Sequence, residues 1–377
     1  MILLAADSVV ADQEVWSPGW IVVEGDLVAD CGAGPPPSAE STEHIAGTIV
    51  PGFVDIHSHG AAGLDYSVAA GTSIAPALDW QLAHGTTTVI ASLATAPIEQ
   101  LEKQLIALDQ LVRSGRIAGI HLEGPWLSPG HRGAHAMELL RSPGSTEVDR
   151  LTSIADSLRM VTIAPELPGA LDAIRTIVTR GCIAAIGHTS CDASTARAAV
   201  DAGVTVATHL FNGMPVLHHR APGPVGVALL DERVFVELVL DGHHLAPETV
   251  ELALRLAGDR AVAVSDSIAA TGYPEGEYML AGTRVEVRDG LARTTVSGSL
   301  AGSTRTLDTA FRTLVRDHSA SLPQAVAVTS TTPAKAMGLP DRGCIRSGAA
   351  ADLIVLHDLE VRGVMKRGKW ISAPPPG

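Results

Sequence analysis

Residues 49–60 read IVPGFVDIHSHG, an apolar, β-branched run that ends in two histidines one residue apart, His57 and His59. The same figure recurs down the chain. RIAGI (116–120) leads to Glu123, CIAAI (182–186) to His188, VTVAT (204–208) to His209, and AVAVS (261–265) to Asp266. Short apolar runs bounded by turn residues read as strands buried on both faces. At the C-terminal ends of parallel barrel strands, side chains far apart in sequence open into one mouth. This spacing predicts that His57, His59, Glu123, His188, His209 and Asp266 meet there.

Between these runs the texture is helical. SIAPALDWQLAHG, PIEQLEKQLIALDQLVRSG, GALDAIRTIVTRG, DASTARAAVDAG, PETVELALRLAG and TRTLDTAFRTLVRD carry helical periodicity, and most end in the glycine that commonly caps a helix. The strand-like runs TTTVIAS, RMVTIAPE and VFVELVLDG complete a set of eight, counted from IVPGFVDI. Strand–helix alternation of this kind signals an α/β fold with a parallel sheet. Both termini differ from it: MILLAADSVV and WIVVEGDLVADCG at the start, and ADLIVLHDLEVRGVMKRGKW at the end, read as short strands broken by glycine and proline. The expected organisation is a small β domain built from residues 1–50 and 343–377, flanking a catalytic barrel over 51–342. The stretch 273–296 alternates and contains a DG turn, so a β-hairpin is expected there.

Composition narrows the function. The chain has 377 residues, 46% of them hydrophobic but only 3% aromatic, so Val, Leu, Ile and Ala must fill the core. A formal charge of −14 argues against a nucleic-acid partner, which would need a basic face. No apolar stretch approaches the roughly 20 residues that span a bilayer, so no membrane association is expected. The opening residues lack a basic segment, and Cys31, Cys182, Cys191 and Cys344 form no CxxC pair; reduced thiols in a cytoplasmic protein are expected.

The chemistry lies in the strand-end set. Period-two spacing puts the rings of His57 and His59 on one side of an extended segment. Imidazole and carboxylate suit Zn²⁺ foremost, and Fe, Mn or Co as well. Glu123 could bridge two ions, with His188 and His209 completing the second position. A lone HxH is a weak signal, and a single histidine reads as a polar residue at a barrel rim; the set together carries the reading. Asp266 can take a proton from water and return it to a leaving nitrogen, or simply cap the next turn. LAGST (300–304) is no nucleotide loop, since neither GxGxxG nor GxxxxGK[ST] occurs in the right context.

PGFVDIHSHG, HGTTT, GIHLEGPWLS, HRGAH, IGHTS, ATHLFNGMP, HRAPGPVG, DGHHL, SDSIAATG and LAGST together resemble the N-acetylglucosamine-6-phosphate deacetylases of the amidohydrolase superfamily, from Pro51 to the ADLIVL strand. The resemblance implies a (β/α)8 TIM-like barrel with a small β-sandwich domain. It implies deacetylation of N-acetylglucosamine 6-phosphate in amino-sugar catabolism and cell-wall sugar recycling. By the same resemblance one or two divalent metals sit on Glu123, His188 and His209, with His57 and His59 holding the second. Asp266 matches the general base and acid, and His135 a sugar contact that polarises the carbonyl or holds a hydroxyl. Asn212 and Gly213 fall at substrate-contacting positions, and Arg220 and His244 at the phosphate, with Arg220 reaching across a homodimer interface. Phosphate wants such cations, an arginine fork above all. Ser267-Ile268 stands where Ala-Met is usual and Trp126 where Phe is frequent, while His218, His219 and His243 receive no role. The competing readings are another amidohydrolase, acting on a cyclic amide or a different amino sugar, and a catalytically silent binding protein. Phosphate dependence of activity and metal content separate them.

Overall fold

The computed structural model describes residues 1–11, 13–39 and 41–374. By packing, the chain falls into two compact units: Ile56–Leu78 with Val89–Arg305, and Met1–Asp55 with Asp79–Thr88 and the residues from Thr306 onward.

Eight strands run in sheet order β1 (Phe53–Ser58), β2 (Thr86–Ala94), β3 (Gly119–Glu123), β4 (Leu158–Ile163), β5 (Ile183–Ile186), β6 (Val204–Ala207), β7 (Phe235–Val239) and β8 (Ala261–Val264). Every registered pairing from β2 to β8 is parallel. The end of β8 meets the end of β1, where the Asp266 N–H donates to His57 O at 2.9 Å and the His59 N–H to Ser267 O at 2.8 Å. That closes the (β/α)8 barrel. All residues of β1, β3 and β8 are buried, because helices cover the outer face while side chains fill the inner one. Helices Ala75–Ala83, Ile98–Arg113, Ser145–Ser153, Ala170–Thr179, Ala193–Ala202, Gly223–Leu230 and Pro247–Ala257 make the seven crossovers in turn.

Two of these helices carry no clear helical signal in the sequence. Gly223–Leu230 (GPVGVALL) is buried over all but its last residue and one internal position, so it has no polar face to show a helical period. Ser145–Ser153 is short and mostly polar. The expected hairpin is also incomplete. The segment forms a three-stranded antiparallel meander, Gly276–Leu280, Thr283–Arg288 and Leu291–Thr294. Two tight turns build it: Ala281–Gly282 (φ 51° and 79°) and Asp289–Gly290 (φ 53° and 72°). Positive φ at both central residues matches the natural twist of paired strands, so the second turn adds a third strand. Its buried side, with Val285, Val287 and Ala292, packs with Ile268 and Ala301.

In the other unit, strands from both termini form one eight-stranded sheet. Thr42–Pro51 lies at its centre, parallel to Ile2–Ala11 and antiparallel to Leu353–His357. Near the far end of the sheet the Val28 N–H donates to Ala349 O at 2.8 Å and the Gly348 N–H to Val28 O at 2.9 Å, and Leu4, Val9, Ile21, Val28, Ile49, Leu353 and Met365 share one core. This is the small β-sandwich domain of the two termini. Helices Leu307–Arg316, Leu322–Val326 and Thr332–Ala336 group with this sheet by contact, although the sequence pattern assigns them to the barrel segment. One reason is polar: Arg312 Nη1 lies 3.2 Å from Oε2 of Glu360, at the start of the sheet strand Glu360–Lys366.

Candidate active site

The site begins as an offset. His188, His209 and Asp266 each stand two residues beyond the last residue of β5, β6 and β8, while Glu123 ends β3 and His57 lies in β1. His188, His209 and Asp266 share a left-handed backbone, with φ of 45°, 27° and 47°. L-residues adopt this region at a cost of order 1–3 kcal/mol each. Here the turn away from the strand direction coincides with a side chain in the mouth, and the closed barrel around it holds the strain.

Glu123 is the hub. Its carboxylate lies 3.7 Å from His57 Nε2, 3.2 Å from His59 Nε2, 3.4 Å from His135 Nε2, and 3.1 Å from both His188 Nε2 and His209 Nε2. Asp266 Oδ1 lies 3.5 Å from His59 Nε2 and 3.7 Å from His57 Nε2. Two triads place one donor atom each within 4.8 Å of the others: His57, His59 and Glu123, and Glu123, His135 and His188. His209 Nε2 adjoins the second, 3.1 Å from His188 Nε2. Imidazole nitrogens that face one another so closely leave room for a shared cation between them, and this donor set fits a divalent metal such as zinc. The Nδ1 atoms of His59 and His209 have no hydrogen-bond partner among the described residues.

The surroundings hold these rings in place. His57 Nδ1 lies 3.0 Å from Glu237 Oε2, which also accepts the His209 backbone N–H at 3.0 Å. His188 Nδ1 is 2.7 Å from the His131 carbonyl, and His135 Nδ1 is 2.8 Å from Thr95 Oγ1. Gly213 has φ 61°, and a Cβ there would sit 2.8 Å from His188 Nδ1, so only glycine lets the chain pass this close to the ring. Below the mouth, Ser92, His121, Thr162 and Thr208 form a buried chain of bonds, with His121 at 2.9 Å and 2.8 Å from its two hydroxyl partners.

Electrostatics sort the histidines. Burial pulls His57 down, but Glu123 and Glu237 outweigh it and lift its pKa well above the ordinary value. Burial, reinforced by His57, holds His121 well below that value, and burial takes His135 down to about 4 despite Glu123. His135 therefore stays neutral through neutral pH. Burial works to raise Glu123, yet His57 and His135 keep it well below the carboxylate range.

A cavity of about 360 Å³ opens above this floor. Asn212, Gly213 and His244 line its wall, and Leu280 with residues 299–302 line the side nearest the meander. The wall position of His244 is secured by Asp241, whose Oδ2 lies 2.8 Å from His244 Nδ1 and whose Oδ1 accepts the backbone N–H groups of His243 and His244 at 2.9 Å. Arg220 is not brought into this cavity: it is exposed, with Nη1 2.8 Å from His219 Nε2. His218 and His219 are exposed beside it, their rings 4.1 Å apart. The two departures from the family pattern are absorbed locally. Trp126 is fully buried and donates Nε1–H to Glu147 at 2.8 Å, and Ser267 Oγ donates to Gly60 O at 2.9 Å.

Glu237, Thr95 and His121 join the site without standing out in the sequence. Glu237 had a signal, a lone acid inside the apolar run VFVELVL, and His121 shares a strand face with Glu123 by period two.

The amidohydrolase family model matches residues 48–371. An N-acetylglucosamine-6-phosphate deacetylase of Vibrio furnissii is 34% identical over 330 residues, 86% of this chain and 82% of the relative. An N-acetylgalactosamine-6-phosphate deacetylase of Escherichia coli O157:H7 is also 34% identical, over 88% of this chain and 89% of the relative. A Mycobacterium smegmatis N-acetyl-D-glucosamine-6-phosphate deacetylase, an aspartate-to-alanine mutant in complex with N-acetyl-D-glucosamine-6-phosphate, superposes with a TM-score of 0.94 and 43% identity, covering 99% of both chains. With this fold, this strand-end set and these relatives, the chain belongs to the amidohydrolase family and, within it, to the N-acetylglucosamine-6-phosphate deacetylases.

Proposed function

We propose that the enzyme hydrolyses the acetamide of N-acetylglucosamine 6-phosphate to glucosamine 6-phosphate and acetate, with Asp266 as the proton carrier. The observation that supports this most directly is the convergence of Glu123, five imidazole nitrogens and Asp266 at the floor of one cavity. Glu123, His188 and His209 would hold one divalent ion and His57 and His59, sharing Glu123, a second; zinc is the ion we favour. When bound, a divalent ion polarises a carbonyl oxygen and lowers the pKa of water, making hydroxide available near neutral pH.

Asp266 takes the proton of the attacking water, oxygen bonds to the acetyl carbon, and Asp266 returns the proton to nitrogen as the C–N bond breaks. His135 is neutral in this environment and serves as a hydrogen-bond donor to the carbonyl oxygen, where negative charge develops. Asn212 and Gly213 seat the sugar. His244, backed by Asp241, meets the phosphate. Because Arg220 is exposed and outside its own chain's cavity, we assign it to the phosphate of a second copy in a homodimer. The chemistry then lies wholly within residues 51–342.

The Escherichia coli O157:H7 relative, 34% identical like the Vibrio furnissii one, is a deacetylase of the C4-epimeric sugar phosphate, so the test runs three substrates. Acetate release is measured on N-acetylglucosamine 6-phosphate, N-acetylgalactosamine 6-phosphate and unphosphorylated N-acetylglucosamine, with metal quantified on the same sample. Strong preference for the first supports the assignment. Equal rates with and without phosphate would refute the phosphate site, and preference for the galactosamine ester would move the substrate to its epimer.

A further inference from the structure

Glu237 is fully buried, and neither the cavity wall nor the donor set includes it. A carboxylate removed from water costs several kcal/mol unless its surroundings repay it, so its place inside an apolar strand calls for a reason. The bonds supply one. A single oxygen, Oε2, serves both His57 Nδ1 and the His209 backbone N–H, each at 3.0 Å, while Oε1 has no partner among the described residues. The two histidines belong to different halves of the donor set, one at the end of β1 and one beyond β6.

Each bond has a distinct consequence. With Nδ1 directed at Glu237, the proton that His57 keeps when a cation displaces the other is placed there, and Nε2 faces the centre, 3.2 Å from His59 Nε2. A carboxylate behind a histidine also makes the ring a stronger donor to a metal. The second bond pins the backbone of His209 at a strained φ of 27°, the turn that swings its ring toward Glu123.

We infer that Glu237 is the positioning residue that couples the two halves of the centre, setting the orientation of His57 and thereby the affinity of the His57–His59 half for a divalent cation. The inference rests on the proposed metal reading and concerns how tightly that half is held. It makes Glu237 a residue that acts through His57 rather than on substrate.

The test is a cycle of four proteins: wild type, Glu237→Gln, His57→Ala and the double variant. Each is stripped of metal and titrated with Zn²⁺ against a chelator, with zinc per chain counted at saturation. Glu237→Gln preserves volume and one acceptor but removes the charge. It should weaken the His57-held ion about 10- to 100-fold, and leave KM for substrate within about twofold, since Glu237 does not line the cavity. In the His57→Ala background the same change should cost less than about twofold, because its route of action is gone. A general structural role would weaken zinc equally in both backgrounds, and that result, or wild-type affinity in Glu237→Gln, would overturn the inference. If Glu237→Gln yields no folded protein, Glu237→Asp takes its place in the cycle. It keeps the charge but shortens the reach of both bonds, so a loss of affinity clearly larger with His57 intact than in the His57→Ala background is expected, and equal loss in both backgrounds or none would overturn the inference. A wild type that takes up no zinc, cobalt or manganese would instead overturn the metal reading itself.

Discussion

The floor and the wall of the cavity are held by different physics. At the floor, each functional side chain is buried, all but His135 sit at or just past a strand end, and each meets others at 3–4 Å, with Glu123 as the common neighbour. On the wall, His244 depends on one carboxylate, Asp241, while outside the cavity Arg220 projects from an exposed loop with its guanidinium against His219. The floor is over-determined by the closed barrel, so it can carry strained backbone; the wall is adjustable and sets what is bound. Changes at the floor should therefore destroy turnover, and changes on the wall should shift affinity.

The sharpest break is Asp266→Asn. Loss of a general base costs about 10²- to 10⁴-fold in kcat, and metal content and substrate binding should survive. Full activity in this variant would remove Asp266 from the chemistry and erase the distinction between floor and wall.

On the wall, His244→Asn and Arg220→Ala should each raise KM about 10- to 100-fold, the worth of a charge-assisted bond, with kcat nearly kept. An unphosphorylated substrate should feel neither change. Mixing Arg220→Ala with Asp266→Asn chains sharpens the point. If Arg220 acts across an interface, the hybrid contains one site with both groups and regains, at substrate well below KM, a rate that neither parent has. No gain on mixing would return Arg220 to its own chain or to the solvent.

Gly213→Ala tests the boundary between the regions. Its Cβ would press on His188 from a backbone at φ 61°, at a cost of about 1–3 kcal/mol. A fall in Tm together with weaker metal retention is expected, and an unchanged protein would mean that the wall yields more than the packing suggests.

The smallest effect is in pH. Burial works against the protonated ring of His244, but Asp241 outweighs it and raises the pKa above the ordinary histidine value. A raised pKa means the cation is complete below about 6.5 and is lost as pH climbs through the raised value. KM for the phosphorylated substrate should therefore be lowest on the acid side and rise with pH over that window. Asp241→Asn should move the rise to lower pH.

Most of the floor was legible because its residues obey a local rule: apolar run, turn, then a ligand. Less was legible elsewhere, for identifiable reasons. Gly223–Leu230 is apolar on all sides and shows no period, and the first strand of the meander joins through a tight turn at Ala281–Gly282 that the DG at 289–290 does not announce. Glu237 sits mid-strand, where an acid is read as an exposed position until the strand is known to be enclosed. The helices after residue 306 look like a continuation of the barrel alternation, whereas contacts such as Arg312 with Glu360 group them with the terminal sheet.

Sequence by itself determined the eight-strand rhythm, the family, and which histidines and carboxylates stand at the strand ends, because periodicity and residue chemistry are local properties. Tertiary structure alone decided that Glu123 is the hub of five imidazoles, that one oxygen of Glu237 serves both halves of the centre, and that Arg220 stays outside its own cavity. Those are distances between residues up to 180 positions apart. Barrel closure sets them, through the order and register of strands that no short stretch of chain contains.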